Sequence, residues 1–234
     1  MRQTRLTIIA ILLLPLWVGA VAQAREIKAQ LLVYRVAEPE STPYISRLLV
    51  TPETLRIDQG EGVSGYILLE RRSGVVYSIN QDEQTILVID PAPGQPRLPG
   101  EYRVEQRQLA SQGMPKVAGR QPQHWRLLVD GQVCRDSILV PGLLPDASRA
   151  YADYLRVIAR QQRAGLAATP AEFTPPCDRV MYDYKPALDW SKGVPLRQWR
   201  PDGWRQELLK FEPAFTLDPG LLQLPAGYRR LSMP

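Results

Sequence analysis

The chain has 234 residues, a formal net charge of +5 and 44% hydrophobic residues, enough for one sizeable core or two small ones. Its arginines are interspersed with acids and apolar residues rather than gathered into a run, which argues against a phosphate-tracking stripe and so against nucleic acid as a partner. His124 is the single histidine and Cys134 and Cys177 are the two cysteines, so no zinc site and no cofactor is expected.

The first 24 residues have the layout of a cleavable secretory signal. Arg2 and Arg5 form a basic start, Leu6 to Gly19 an uncharged apolar run, and Ala22-Gln23-Ala24 a small-x-small cleavage pattern. The run is shorter than the roughly 20 residues that cross a bilayer as a helix, and no later segment is long and apolar enough to do so. The expectation is a signal over 1–24 and one periplasmic domain over 25–234, with no stable membrane span after cleavage. In an oxidising compartment the two cysteines are most simply read as one disulfide, worth roughly 4 kcal/mol on the chain-entropy account.

Ile27 to Val36 reads as a strand with Ile27, Ala29, Leu31 and Val33 on one face; the break in alternation at Leu32 implies that parts of both faces are covered. Short strands follow at Tyr44–Val50 and Thr54–Asp58, then a three-strand antiparallel meander at Tyr66–Glu70, Val75–Asn80 and Thr85–Ile89. PAPGQPRLPG, residues 91–100, is a loop by composition. Tyr102–Leu109 is a further strand, and Gln123–Val129 with Gln132–Val140 make a hairpin around Asp130-Gly131, a pair suited to a tight turn.

Helical periodicity appears once, after Pro145 and Asp146, where Asp146 is placed to cap free amides. Tyr151, Tyr154, Leu155 and Ile158 share one face and arginines occupy much of the rest, with Gly165 as the stop. The chain then returns to strands at Val180–Tyr184, Val194–Arg200 and Trp204–Phe211, the last two joined by Pro201-Asp202-Gly203. One helix among many antiparallel strands predicts an α+β domain: a strongly curved antiparallel sheet, an incomplete β-barrel, with the amphipathic helix packed on it.

Chemistry is sparse. No G-x-S-x-G elbow accompanies His124, and Gly60 to Gly65 lacks the lysine and spacing of a phosphate loop. Carboxylates are scattered through turns with no pair singled out by spacing, so no catalytic residue is assigned and no enzyme activity is expected. Aromatics, Trp125, Trp190, Trp199 and Trp204 among them, lie mostly on or beside strands, where they serve packing or line a groove.

Residues 51–90, TPETLRIDQGEGVSGYILLERRSGVVYSINQDEQTILVID, together with GVPLRQW (193–199) and LLQLPAGYRRL (221–231), resemble in order the segments of a family of exported bacterial proteins of uncharacterised function. A looser similarity runs to the periplasmic lipoprotein carriers and their outer-membrane receptors. That resemblance implies an unclosed barrel around an apolar cavity and an acyl chain, lipoprotein or other envelope protein as partner. No lipid-attachment cysteine follows the cleavage point. The residues expected at a ligand cavity are Tyr151, Tyr154, Leu155 and Ile158 on the helix and Trp199 and Trp204 on the sheet. The function expected is a soluble periplasmic binding protein for a hydrophobic ligand or lipid-bearing partner; the alternative is a non-enzymatic envelope interaction factor with a filled core.

Overall fold

In the computed structural model, the strand periodicity of the sequence is realised almost element for element over the residues it describes, 26–60, 63–92, 101–166 and 175–232. The signal segment and most of the 91–100 loop lie outside those residues. In chain order the strands are β1 (Ile27–Ala37), β2 (Tyr44–Val50), β3 (Thr54–Asp58), β4 (Gly65–Glu70), β5 (Val76–Asn80), β6 (Thr85–Ile89), β7 (Val104–Leu109), β8 (Gln123–Val129) and β9 (Gln132–Val140). Helix α1 (Pro145–Leu166) follows, then the single turn α2 (Pro176–Asp178), which runs on into a π-helix at Arg179–Tyr184. β10 (Val194–Trp199), β11 (Arg205–Leu217), a 3₁₀ turn at Pro219–Leu222 and β12 (Arg229–Ser232) complete the chain.

All strands join one 12-stranded sheet in the order β12-β6-β5-β4-β3-β2-β1-β11-β10-β9-β8-β7. Neighbours are antiparallel except β12, which pairs parallel with β6. The ladder ends at β12 on one side and β7 on the other, so the sheet is open and mixed, and the expected strongly curved half-barrel is incorrect. The physical reason is visible at the edges. Closure needs edge strands with backbone and apolar side chains to offer each other. Here β12 is four residues, all exposed, and β7 carries Glu105 between Arg103 and Arg107. Alternation of side chains reports which faces are covered, not whether the two ends of a sheet meet. An acyl chain wrapped by a barrel, and the lipid-binding character drawn from it, therefore has no counterpart in this architecture.

Both faces of the sheet are covered, as the break at Leu32 predicts. Leu32, Tyr34 and Val36 of β1 join the main core with Leu48, Val50, Leu55, Leu69 and Val76, under the Ala147, Ala150 and Val157 side of α1. Ala29, Leu31 and Leu49 face the other way, against Leu217 and Leu222. Next to them Tyr66, Leu68, Ile79 and Ile86 are capped by Leu224 and Tyr228. The LLQLPAGYRRL segment is thus a strap that crosses the second face before adding β12 to the edge.

Turn chemistry matches the sequence. Asp130 and Gly131 both have positive φ, 51° and 80°, as a two-residue hairpin turn requires. β11 runs past Phe211 to Leu217, and Pro213 falls at the register shift opposite Gln30, where no ladder amide is needed. α1 begins on Pro145, but its free amide at Ala147 is met by Gln30 Oε1 from β1 at 3.0 Å. The expected cap, Asp146, instead pairs with Arg149 and lies 3.8 Å from Arg71. α1 extends through Gly165, and Val180–Tyr184, read as a strand, is π-helical. Burial explains the second difference: Val180 and Met181 are adjacent and both inside, which fits a winding backbone over the Leu127–Val129–Cys134 cluster better than an alternating one.

Candidate functional site

The wall of the site is built from α1, the π-helical segment and β10–β11. Cys134 and Cys177 form a disulfide that ties β9 to α2, with Cα atoms 5.4 Å apart, so the π-helix is held against β8 and β9 at its N-terminal end. From there the chain turns through Pro186 and Trp190 back into β10. Trp190 is 5% exposed and packs against Tyr151, with centroids 4.4 Å apart, and edge-on to Tyr34 at 6.0 Å.

Between these elements lies a partly open cavity of about 150 Å³. Tyr151, Leu155 and Ile158 line it from α1, Met181 from the π-helix, and Trp190 and Trp204 from the loops flanking β10. Four of the six expected cavity residues are therefore brought together: Tyr151, Leu155, Ile158 and Trp204. Tyr154 instead packs beside Tyr151 in the core, with centroids 5.6 Å apart. Trp199 is also elsewhere. It neighbours His124 at 5.5 Å and the Arg197 guanidinium at 5.4 Å, while its chain neighbours Gln198 and Arg200 line the cavity. Alternation along β10 separates Trp199 from Gln198 across the sheet.

The polar part of the wall is not legible from spacing. Asp189, 2% exposed, accepts from the Ser137 hydroxyl and from Gln198 Nε2 at 2.6 Å. Arg135 Nε lies 2.8 Å from the same carboxylate as an ion pair without a well-aligned hydrogen bond. Arg200 bridges Asp178 at 3.0 Å and Asp202 at 2.6 Å, and donates to the Tyr182 hydroxyl. Gln198 and Arg200 are thereby held by acids behind them, whereas Arg135 Nε lacks an aligned acceptor; these three side chains and Tyr182 form the polar rim of the cavity. Burial, reinforced by Tyr154, pushes the Tyr151 phenol well above its ordinary range, so it stays neutral. Chemically the arrangement can exclude water from one apolar group and orient it by the rim. Its size matches a single ring or a short chain end, below the roughly 300 Å³ of a drug-sized pocket.

On the opposite face His124 Nε2 and Arg126 Nε each lie 3.0 Å from Asp136 Oδ1. Among the described residues no group of three or more His, Cys, Asp or Glu is arranged to hold a metal ion, and no helix is long and apolar enough to cross a membrane.

No known family's sequence profile matches the chain, and no curated protein does. Among solved structures, PNGF-II in the C2 space group is similar at a TM-score of 0.41 and 8% identity, over 88% of this chain and 31% of that one. PNGF-II in the P21 space group gives 0.39 and 8%, over 88% and 32%. The chain thus spans about a third of the length of the structures it resembles, and at that likeness neither a shared fold nor an activity follows.

Proposed function

We propose that the chain is an exported, non-enzymatic binding module that holds one small hydrophobic group in the cavity beneath α1. The observation that carries this reading is the convergence of Tyr151, Leu155, Ile158, Trp190 and Trp204 on a space of about 150 Å³ that remains open beside a well-filled core. The Cys134–Cys177 bridge supports an oxidising compartment, since such bonds persist there and are rare in reducing ones. Burial of a ring-sized group supplies about 1.5–3 kcal/mol before rim contacts and association costs.

The test uses toluene as the probe and methyl NMR of Leu155, Ile158 and Met181 as the readout. Saturable shifts confined to these methyls, lost when Leu155→Trp fills the space, support the proposal. Shifts that are unsaturable, or equal in the filled variant, overturn it. The cavity's small volume also suits one apolar side chain presented by an envelope protein, and that second reading predicts the same methyl shifts with a peptide in place of toluene.

A further inference from the structure

A second concavity adjoins the first, with Ala159 and Pro186 lining both. It is larger, about 310 Å³, and lies between the C-terminal half of α1 and the Asp183–Leu188 turn. Its chemistry is different. Arg156, Arg160 and Arg163 recur at i, i+4 and i+7, which places them on one helical stripe, and Lys185 meets them from the turn. Asp183 is the acid among the lining residues.

The cations are not all used by the fold. Arg156 pairs with Asp153 at 2.6 Å. The Arg163 guanidinium is anchored on the Asp183 carbonyl and lies 5.7 Å from the Tyr184 ring centroid. Partial burial lowers the Arg163 pKa from its ordinary value. Arg160 and Lys185 have no acidic partner within ion-pair distance among the described residues. Like charges at i, i+4 disfavour a helix, so the stripe has a small standing cost that an anion would relieve. A concave wall also focuses the field of these charges, whereas a flat basic face disperses it into solvent.

We propose that this cleft is an oxyanion site, in which Arg160, Arg163 and Lys185 bind a phosphate- or sulfate-type group, free or at the head of a larger ligand. Guanidinium forks suit such tetrahedral oxygens, and an anchored Arg163 makes the site pre-organised. The site stands independently of the apolar cavity: either can bind while the other does not.

The experiment is titration calorimetry at constant ionic strength with inorganic phosphate, alongside sedimentation with vesicles of phosphatidylcholine alone or with phosphatidylglycerol added. Saturable phosphate binding, weakened about tenfold or more in Arg160→Gln/Lys185→Gln, is the expected result. Asp183→Asn should tighten binding by removing a competing carboxylate, a gain that misfolding does not mimic. Saturable binding only to the phosphatidylglycerol vesicles, lost in the same double variant, also supports the site and assigns the group to a lipid head. No saturable binding of either probe, or equal binding by wild type and double variant, overturns the proposal.

Discussion

Replacing Cys134 and Cys177 together by alanine removes the bridge between β9 and α2. The two positions are 43 apart in sequence, and closing a loop of that length costs the unfolded chain about 4 kcal/mol at 25 °C on the chain-entropy account. That loop contains the whole of α1, the element that carries Tyr151, Leu155 and Ile158. Alanine is the right replacement because Cys134 is 2% exposed among Leu127, Val129, Val180 and Met181, where a serine hydroxyl would add its own desolvation cost. Urea unfolding followed by far-UV circular dichroism should show the extrapolated unfolding free energy falling by most of that 4 kcal/mol. The denaturant slope should rise, because the uncrosslinked unfolded chain exposes more surface. A loss below about 1 kcal/mol with an unchanged slope would mean that the uncrosslinked unfolded state is as confined as the oxidised one and that the bridge does not stabilise by loop closure.

Other expectations rest on single sites. Trp190→Ala should cost about 3–5 kcal/mol in the same unfolding assay, because it empties the packing between Tyr34 and Tyr151. Gly193→Ala should destabilise by about 1–3 kcal/mol, because a Cβ there would lie 2.5 Å from the Val140 carbonyl oxygen, backbone that cannot swing aside. Asp58 is buried, which alone would raise its pKa, yet hydrogen bonds from Arg47 and Arg56, each at 2.6 Å, hold its carboxyl below the usual range. Its contribution is therefore complete above the unfolded carboxyl pKa of about 4 and is lost as pH falls through the lower folded value. Asp58→Asn should flatten the acid limb of a stability–pH curve, and Asp58→Ala should cost about 3 kcal/mol by stranding the Arg56 guanidinium. Asp183 has the opposite sign: burial raises its pKa, so ionisation costs stability as pH rises, and Asp183→Asn should stabilise the protein at neutral pH.

Strand positions, the hairpin turns and the amphipathic face of α1 are legible in the sequence because each leaves a periodic or local signature. Leu31 and Leu32 report two covered faces by their adjacency, and Asp130-Gly131 reports its turn by composition. How far the sheet curls is not legible, since it depends on how β12 and β7 stand at its two ends, a relation between residues more than a hundred positions apart. The site is half legible for the same reason. Tyr151, Leu155 and Ile158 follow from helical spacing, whereas Met181 enters through a π-helix whose residues read as a strand. Asp189, Arg135 and Gln198 come together from β9, β10 and the intervening loop with no common motif. Residue type alone points Trp199 to the cavity, and strand alternation sends it to the other face. The Arg56-Ile57-Asp58 segment within the family resemblance holds a structural charge cluster: Arg56 also stacks on Tyr66 at 3.7 Å and bonds the Leu221 carbonyl at 2.7 Å, fastening the C-terminal strap.

Whether the space beneath α1 takes an apolar group is decided by crystals of the oxidised protein pressurised with xenon. A bound xenon atom is expected among Leu155, Ile158, Trp190 and Trp204. Ordered water filling the space and bonded to Gln198 and Arg135, with no xenon displacing it, would show that the space is polar and holds no apolar group.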